Sequence, residues 1–407
     1  MKLPLIFSNL KDATYRNILI FSLLGGVLMQ AVLVPTLDYI ALTIKHDNQI
    51  FYNYATIATL AATLPQALSL LISYFVNNLG FRKVLVTGLS ILLISGSIIL
   101  FIQHIFIIYV SWIILCGVIF NALYLNLSRQ ICALFATKIK DYQSDSFILG
   151  AIGNILGYQF GNLTYNYAHL SGVIIVFFVV CLAMFLLVRK IKFNTIIEEA
   201  RAQTPNLKQL YLVLIKQKQL LIFLGFMFSI ILVGSGLNLF LVSKIHQLHL
   251  NNTVYSNFFT LMTIGSMSGA LLLKNPKVQH LNSLHSLITA SCLFLISYLF
   301  LANSATLYCL HIIAVILGFA NSLFLINMNT ICMNFINLDQ ELLKIAPIVN
   351  GFMMSGFYGV SLIGPLIYNH LLQAAISLNL IIYIITLLQA IIIASLFVMV
   401  KQNRFKI

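Results

Sequence analysis

Charge is what this chain lacks. Only 8% of its 407 residues are Asp, Glu, Lys or Arg, against roughly 25% in an ordinary soluble domain. A water-facing globule of this length is excluded, because its surface could not be covered. Acids are scarcer than bases, 9 against 23, so a carboxylate inside an apolar run carries functional weight. Paired cysteines are missing too. Cys116, Cys132, Cys181, Cys292, Cys309 and Cys332 lie in or beside apolar runs with no CxxC spacing, which argues against a disulfide framework or a zinc site. No nucleotide-binding loop is present, and neither a metal nor a cofactor is expected. What the chain does have is apolar bulk, with 60% hydrophobic residues and a mean hydropathy of +0.99. A lipid bilayer is the solvent that composition fits, and the chain reads as an all-α, multi-pass integral membrane protein. The net charge of +14 does not indicate nucleic acid, because the basic residues sit at the ends of apolar runs.

A spanning helix needs about 20 mostly apolar residues. Twelve such spans are predicted, over 18–40, 51–76, 84–103, 105–127, 146–167, 171–188, 219–243, 254–273, 283–302, 305–328, 346–370 and 374–400. The first run is too long for the core of a signal peptide, and no small-residue cleavage site follows it. Cytoplasmic loops carry excess Lys and Arg. With both termini cytoplasmic, all of the 23 basic residues except Lys45 and Lys244 fall on the inner side. A miscounted span would scramble that pattern. High Ile, Asn, Leu and Lys content suggests an AT-rich bacterial genome, and a bacterial inner membrane is the expected location.

The chain repeats itself at a shift of about 200 residues. "NALYLNLSRQICALF" from Asn121 falls on "NSLFLINMNTICMNF" from Asn321. Tyr54, Thr59 and Leu60 meet Tyr255, Thr260 and Leu261, and "GNLTYN" at 161–166 resembles "GPLIYN" at 364–369. Six spans per repeat start both halves on the same side, which is a parallel pseudo-twofold repeat about the membrane normal. The expected domains are an N-terminal six-helix bundle over 1–188, a basic cytoplasmic loop over 189–218 and a C-terminal six-helix bundle over 219–407. A monomer is expected.

Amides are costly against lipid, so their distribution marks helix faces turned inward. Spans 3, 6 and 9 have none inside; span 12 is the exception, with Gln389 and Asn379. Elsewhere Gln30, Gln66, Asn121, Asn154, Gln159, Asn238, Asn321 and Asn350 are candidates to line a shared polar cavity, the alternative being helix-to-helix glue. Span 2 shows a stripe at helical spacing, Thr59, Thr63, Gln66 and Ser73. Gly153, Gly157 and Gly161 in span 5, and Gly356, Gly359 and Gly364 in span 11, are the small residues that let helices approach closely. They mark either contact between the two bundles or static packing. Asp38 is the one acid within a span, about 10 Å from its outer end at 1.5 Å per residue, and His311 lies in the outer half of span 10. These two are the candidates for proton or cation coupling. Trp112 and Tyr109 read as membrane-interface anchors.

The turn after span 2 reads Ser73-x-x-x-Asn77-Asn78-x-Gly80-Phe81-Arg82, then Lys83. With twelve spans, cytoplasmic ends and a basic central loop, this chain resembles the major facilitator superfamily, whose loop at this place reads Gly-x-x-x-Asp-Arg-x-Gly-Arg-Lys/Arg. Gly80 and the basic pair match; Asn77 replaces the acid. In the family that loop latches the bundles on the cytoplasmic side, so the resemblance makes Ser73, Asn77, Gly80, Arg82 and Lys83 a gate loop with a neutral latch. The proline of the drug-antiporter motif in helix 5 is replaced by Asn162, and the helix 4 arginine of many members is replaced by Ile113. The resemblance implies secondary active transport of a small organic solute by alternating access, with proton coupling through Asp38 as one option and uncoupled facilitated diffusion as another. Import and export stay open between drug or siderophore efflux and amino-acid or nutrient uptake. The few buried charges favour a neutral, zwitterionic or lipophilic solute. An intramembrane hydrolase using Ser235 with His311 as base is a remote alternative, and a non-transporting receptor on the same fold is another.

Overall fold

Lipid offers no partner to a backbone N–H or C=O, so each long apolar run must satisfy its own as a helix. The computed structural model describes residues 13–43, 56–57, 60–61, 63–79, 81–102, 106–134, 139–188, 215–248, 250, 253–275, 278, 283–338, 346–374 and 376–401. In order, the helices are α1 (Ala13–Thr43), α2 (Ser69–Leu79), α3 (Phe81–Ile102), α4 (Phe106–Leu134), α5 (Ile139–Val188), α6 (Lys218–Gly234), α7 (Leu237–Gln247), α8 (Thr253–Leu273), α9 (Ser283–Asn303), α10 (Leu307–Leu338), α11 (Ala346–Gln373) and α12 (Leu378–Lys401). Among the described residues seven stretches are long and apolar enough to cross a membrane, and Tyr15–Ala31, Ile107–Leu123 and Asn257–Leu273 are shorter apolar helices. The stretch Ser144–Val188 is 45 residues long, more than twice the roughly 20 that a bilayer needs. It is broken at His169, where φ is 51° and ψ −150°, in the predicted gap between spans 5 and 6. It is therefore two crossings. The fold is all-α, with twelve crossings in two six-helix bundles.

Span 7 is not the single rod expected from its sequence. It divides at Ser235–Gly236 into α6 and α7. Such a break frees carbonyls that lipid cannot satisfy, and neighbouring hydroxyls take them. Tyr298 donates to the Gly234 carbonyl at 2.7 Å. Tyr368 donates to those of Leu232 and Val233 at 3.1 and 3.4 Å, and Ser235 donates to Leu232 at 2.7 Å.

Helices in a bilayer gain little from burying apolar surface, since lipid tails are as apolar as leucine. Close packing holds them instead. Gly153, Gly157 and Gly161 lie on the backbone of Leu23, Val27 and Ala31 in α1, where a Cβ would have no room. In the other half Gly356 meets Phe228 and Gly364 meets Ser235. These glycines thus pair helices inside one bundle and do not form the bundle-to-bundle contact. Gly359 has open space around it. The internal repeat is visible in a second pairing. Gly117 of α4 packs on Pro65, and Gly318 of α10 packs on Met262.

Trp112 is also not where its sequence position suggests. It is 4% exposed, packs edge-on against Phe177 at 4.8 Å and donates to Ser95 Oγ at 3.3 Å. With Tyr109, Leu89 and Val173 it belongs to the N-terminal core. Lys244, expected in the outer loop, is 6% exposed. Its ammonium donates to the Ala302 carbonyl at 3.0 Å and to Asn379 Oδ1 at 3.4 Å. Ala302 sits in the last turn of α9, whose free carbonyls and negative dipole end favour a cation.

Candidate functional site between the bundles

A cavity of about 600 Å³ lies between the two halves, within the roughly 300–1,000 Å³ typical of small-molecule sites. The N-terminal half contributes Met29, Pro65, Gln66, Ser69, Gly117, Phe120, Asn121 and Phe147. The C-terminal half contributes more, including the α6–α7 break, Met262, Phe294, Tyr298, Asn321, Asn329, Phe357, Tyr358 and Gln389. Among the described residues no Asp, Glu, Lys, Arg or His lines it. Phenylalanine, methionine and amides make up most of the wall.

Several of the polar groups are already engaged. Asn121 Nδ2 donates at 2.7 Å to both the Pro65 carbonyl and Ser69 Oγ, so both of its hydrogens are used and only Oδ1 remains. The hydroxyls of Ser69, Ser235, Tyr298 and Ser361 donate to backbone carbonyls. Gln389 is 1% exposed. Its Nε2 reaches the Ser291 carbonyl at 3.4 Å, and its Oε1 is buried with no partner.

The halves are joined at the end that carries the 2–3, 4–5, 8–9 and 10–11 connections, hereafter the basic end. Span 2 is interrupted at Leu68, and just beyond it the Leu70 N–H donates to Ser355 Oγ of α11 at 2.6 Å. Ser73, buried, faces Gly351 of α11, where a Cβ would lie 2.5 Å from Ser73 Oγ. Beside this contact, Asp145 of α5 pairs with Lys274 at the end of α8, with side chains 2% and 10% exposed. Tyr15 of α1 donates to the other carboxylate oxygen at 2.6 Å. Further along, Gln159 donates to Thr260 at 3.1 Å and Tyr158 packs on Phe259 with ring centroids 6.0 Å apart. Helices α5 and α8 therefore meet along about 21 Å, fourteen residues at 1.5 Å each.

The structure sorts the candidate residues. Gln66, Asn121 and Asn321 line the cavity. Gln30 and Asn154 do not; the Gln30 Cβ lies against Gly157 and the Asn154 side chain against Gly26, so the close α1–α5 pairing absorbs both. Gln159 bridges to α8, and Asn350 is buried beside Gly351. The side chain of Asn238 lies outside the described residues, as do those of Asp38, Asn77 and Arg82 and the whole of Gly80. Lys83 is exposed at the start of α3. His311 has a buried Nε2 with no partner. Ser235 spends its hydroxyl on its own helix. Helix 9, amide-free inside, and helix 12, the exception to that pattern, also contribute Phe294, Tyr298 and Gln389 to the wall, because the cavity extends into the C-terminal bundle at the α6–α7 break. Gln389 had a sequence signal, as an amide in an otherwise apolar span. Asp145 and Lys274 had none, since each stands at a span boundary in a different half. Among the described residues no group of three or more His, Cys, Asp or Glu could hold a metal ion.

Known proteins resemble this arrangement. A crystal structure of a mutant of the nucleoside transporter NupG superposes with a TM-score of 0.67 at 15% identity, covering 95% of this chain and 99% of that one. The human organic anion transporter MFSD10 (TETRAN) superposes with a TM-score of 0.69 at 12% identity, covering 94% and 99%. At such identities the likeness is one of fold. No curated protein matches by sequence. The sequence profile of the Major Facilitator Superfamily matches residues 19–341, and the chain belongs to that family of membrane transporters.

Proposed function

We propose that this protein moves a small uncharged organic solute across a membrane by alternating access, with the bundles 1–188 and 219–407 rocking about the cavity and 189–218 joining them. The observation that carries this reading is the cavity itself. It is lined from both halves, free of ionisable side chains other than tyrosine among the described residues, and flanked by cross-bundle contacts at the basic end. A polyanion would need arginine or lysine in the wall. The nucleoside of NupG suits such a wall better than the organic anion of MFSD10. The basic end faces the cytoplasm of a bacterial inner membrane, both termini lie on that side, and the protein works as a monomer.

Coupling to protons rests on Asp38, whose side chain lies outside the described residues, and on His311, which is not among the lining residues. A second reading, uncoupled diffusion of the solute, is favoured by that same wall, which among the described residues offers no acid or imidazole to exchange a proton at the binding site. Flux of radiolabelled neutral and charged solutes into proteoliposomes, with and without an imposed pH gradient, tests both. Saturable flux of neutral solutes supports transport. Accumulation driven by the gradient, and lost in Asp38→Asn, supports coupling. A chain that binds such solutes and gives no flux above empty vesicles ends the transport reading.

A further inference from the structure

The cavity's hydrogen-bonding inventory defines its ligand more narrowly than "uncharged". Two amides at the wall have an oxygen left over, Asn121 Oδ1 from the N-terminal bundle, whose two N–H groups are both bonded to protein, and Gln389 Oε1 from the C-terminal one, whose Nε2 gives one hydrogen to the Ser291 carbonyl. A buried acceptor left without a donor is costly, and among the described residues the wall supplies none to Gln389 Oε1. Gln66 and Asn321 have no side-chain hydrogen bond among the described residues, so each presents an amide with donor and acceptor side by side. Phe120, Phe294 and Phe357 line the same cavity among other rings, and aromatic side chains suit a flat π-system. A full charge in this cavity would be desolvated with no counter-ion among the described residues of the wall.

We propose that the solute is a neutral, flat, ring-bearing molecule with N–H donors next to carbonyl or ring-nitrogen acceptors, the edge of a cyclic amide or a nucleobase, and that Gln389 is a specificity-determining residue that receives one of those N–H groups. This deepens the transport reading and rests on the same cavity. Helix 12 thereby takes part in recognition through an acceptor in the same cavity as the α6–α7 break.

The test uses the full chain, purified in detergent for binding and reconstituted for flux. The probes are uracil, uridine, adenine and nicotinamide, with ring or amide N-methylated counterparts, and benzoate and tetraphenylphosphonium as charged rings. Binding is read by competition and by ligand-induced thermal protection. The neutral N–H compounds should bind, and N-methylation should weaken them tenfold or more. Gln389→Met should narrow that N–H over N-methyl preference to less than threefold while leaving the N-methyl compounds' affinity in place. This change removes an unpaired acceptor, so the variant should fold. Asn321→Leu, on another helix, serves as the second variant and should weaken N–H compounds selectively. Preferential binding of benzoate or tetraphenylphosphonium, failure of every neutral N–H ring at millimolar concentration, or an unchanged preference in both variants overturns the proposal. Neutral rings that bind with the expected selectivity and give no flux would leave it standing and remove the transport reading instead. Flux confined to charged solutes would do the reverse.

Discussion

Asp145 shows how much one residue decides at this seam. Its carboxylate takes Lys274 from the other half and Tyr15 from its own, and all three groups are withdrawn from water. Removing one member of a buried pair leaves the other charge unpaired, at a cost on the order of 3–5 kcal/mol. Lys274 would lose that amount only in the closed arrangement, since separation returns it to solvent. Asp145→Asn should therefore shift the population toward bundles parted at the basic end, and the double variant Asp145→Asn with Lys274→Gln should recover most of the closed state. Spin-label distances between α5 and α8 at that end check both; equal distances in the parent and the single variant would mean the pair does not hold the seam. The sequence pattern could not reveal this pair. Charges at span ends are read as interface anchors, and nothing in local spacing links two such ends 129 residues apart. The reverse holds for Gln389, whose amide breaks an apolar run and announces an inward face without saying which cavity it meets.

At the scale of the helix, glycine spacing was readable and its partner was not. A four-residue repeat says that a second backbone comes close, but every helix in a bundle offers a backbone, and only the fold selects α1. The structure separates positions that look alike in sequence. Gly153→Ala puts a methyl against the Leu23 carbonyl, and the overpacking should cost about 1–3 kcal/mol. Gly359→Ala meets open space and should be neutral or stabilise by up to about 1 kcal/mol, because alanine is the better helix former. Melting in detergent should therefore fall for the first and hold or rise for the second. The break between α6 and α7 is a second test. Tyr298→Phe removes the donor to the Gly234 carbonyl and should cost about 1–3 kcal/mol, the price of leaving a buried acceptor unmet. A melting temperature equal to the parent's would mean that water fills the place of the hydroxyl.

For the whole molecule the decisive contact is between α2 and α11, where Gly351 admits Ser73 without a side chain between them. Twelve apolar runs, their charge asymmetry and a 200-residue repeat were enough to give two bundles and their relative direction. They were not enough to locate the contacts at the basic end, because the family's acid is missing at Asn77 and the cross-bundle contacts among the described residues there are a glycine, two serines and an ion pair of no distinctive spacing. The proposed alternating access requires this contact to form and part in each cycle. Gly351→Leu should act as a wedge, since its Cβ alone would fall 2.5 Å from Ser73 Oγ and 3.0 Å from the Ser69 carbonyl. Closure at the basic end should then be disfavoured by several kcal/mol, and each 1.4 kcal/mol lowers the closed population about tenfold. Binding of solute from the basic side should survive and net flux should fall by more than tenfold. A cysteine placed at Ser361 in the cavity wall reports the cause. In the Gly351→Leu background it should react with a membrane-impermeant thiol reagent added on the basic side and lose reactivity from the opposite side, compared with the same chain without the wedge. If flux persists at the parent's rate, α2 and α11 do not need to meet, and the gate must lie along α5 and α8 alone.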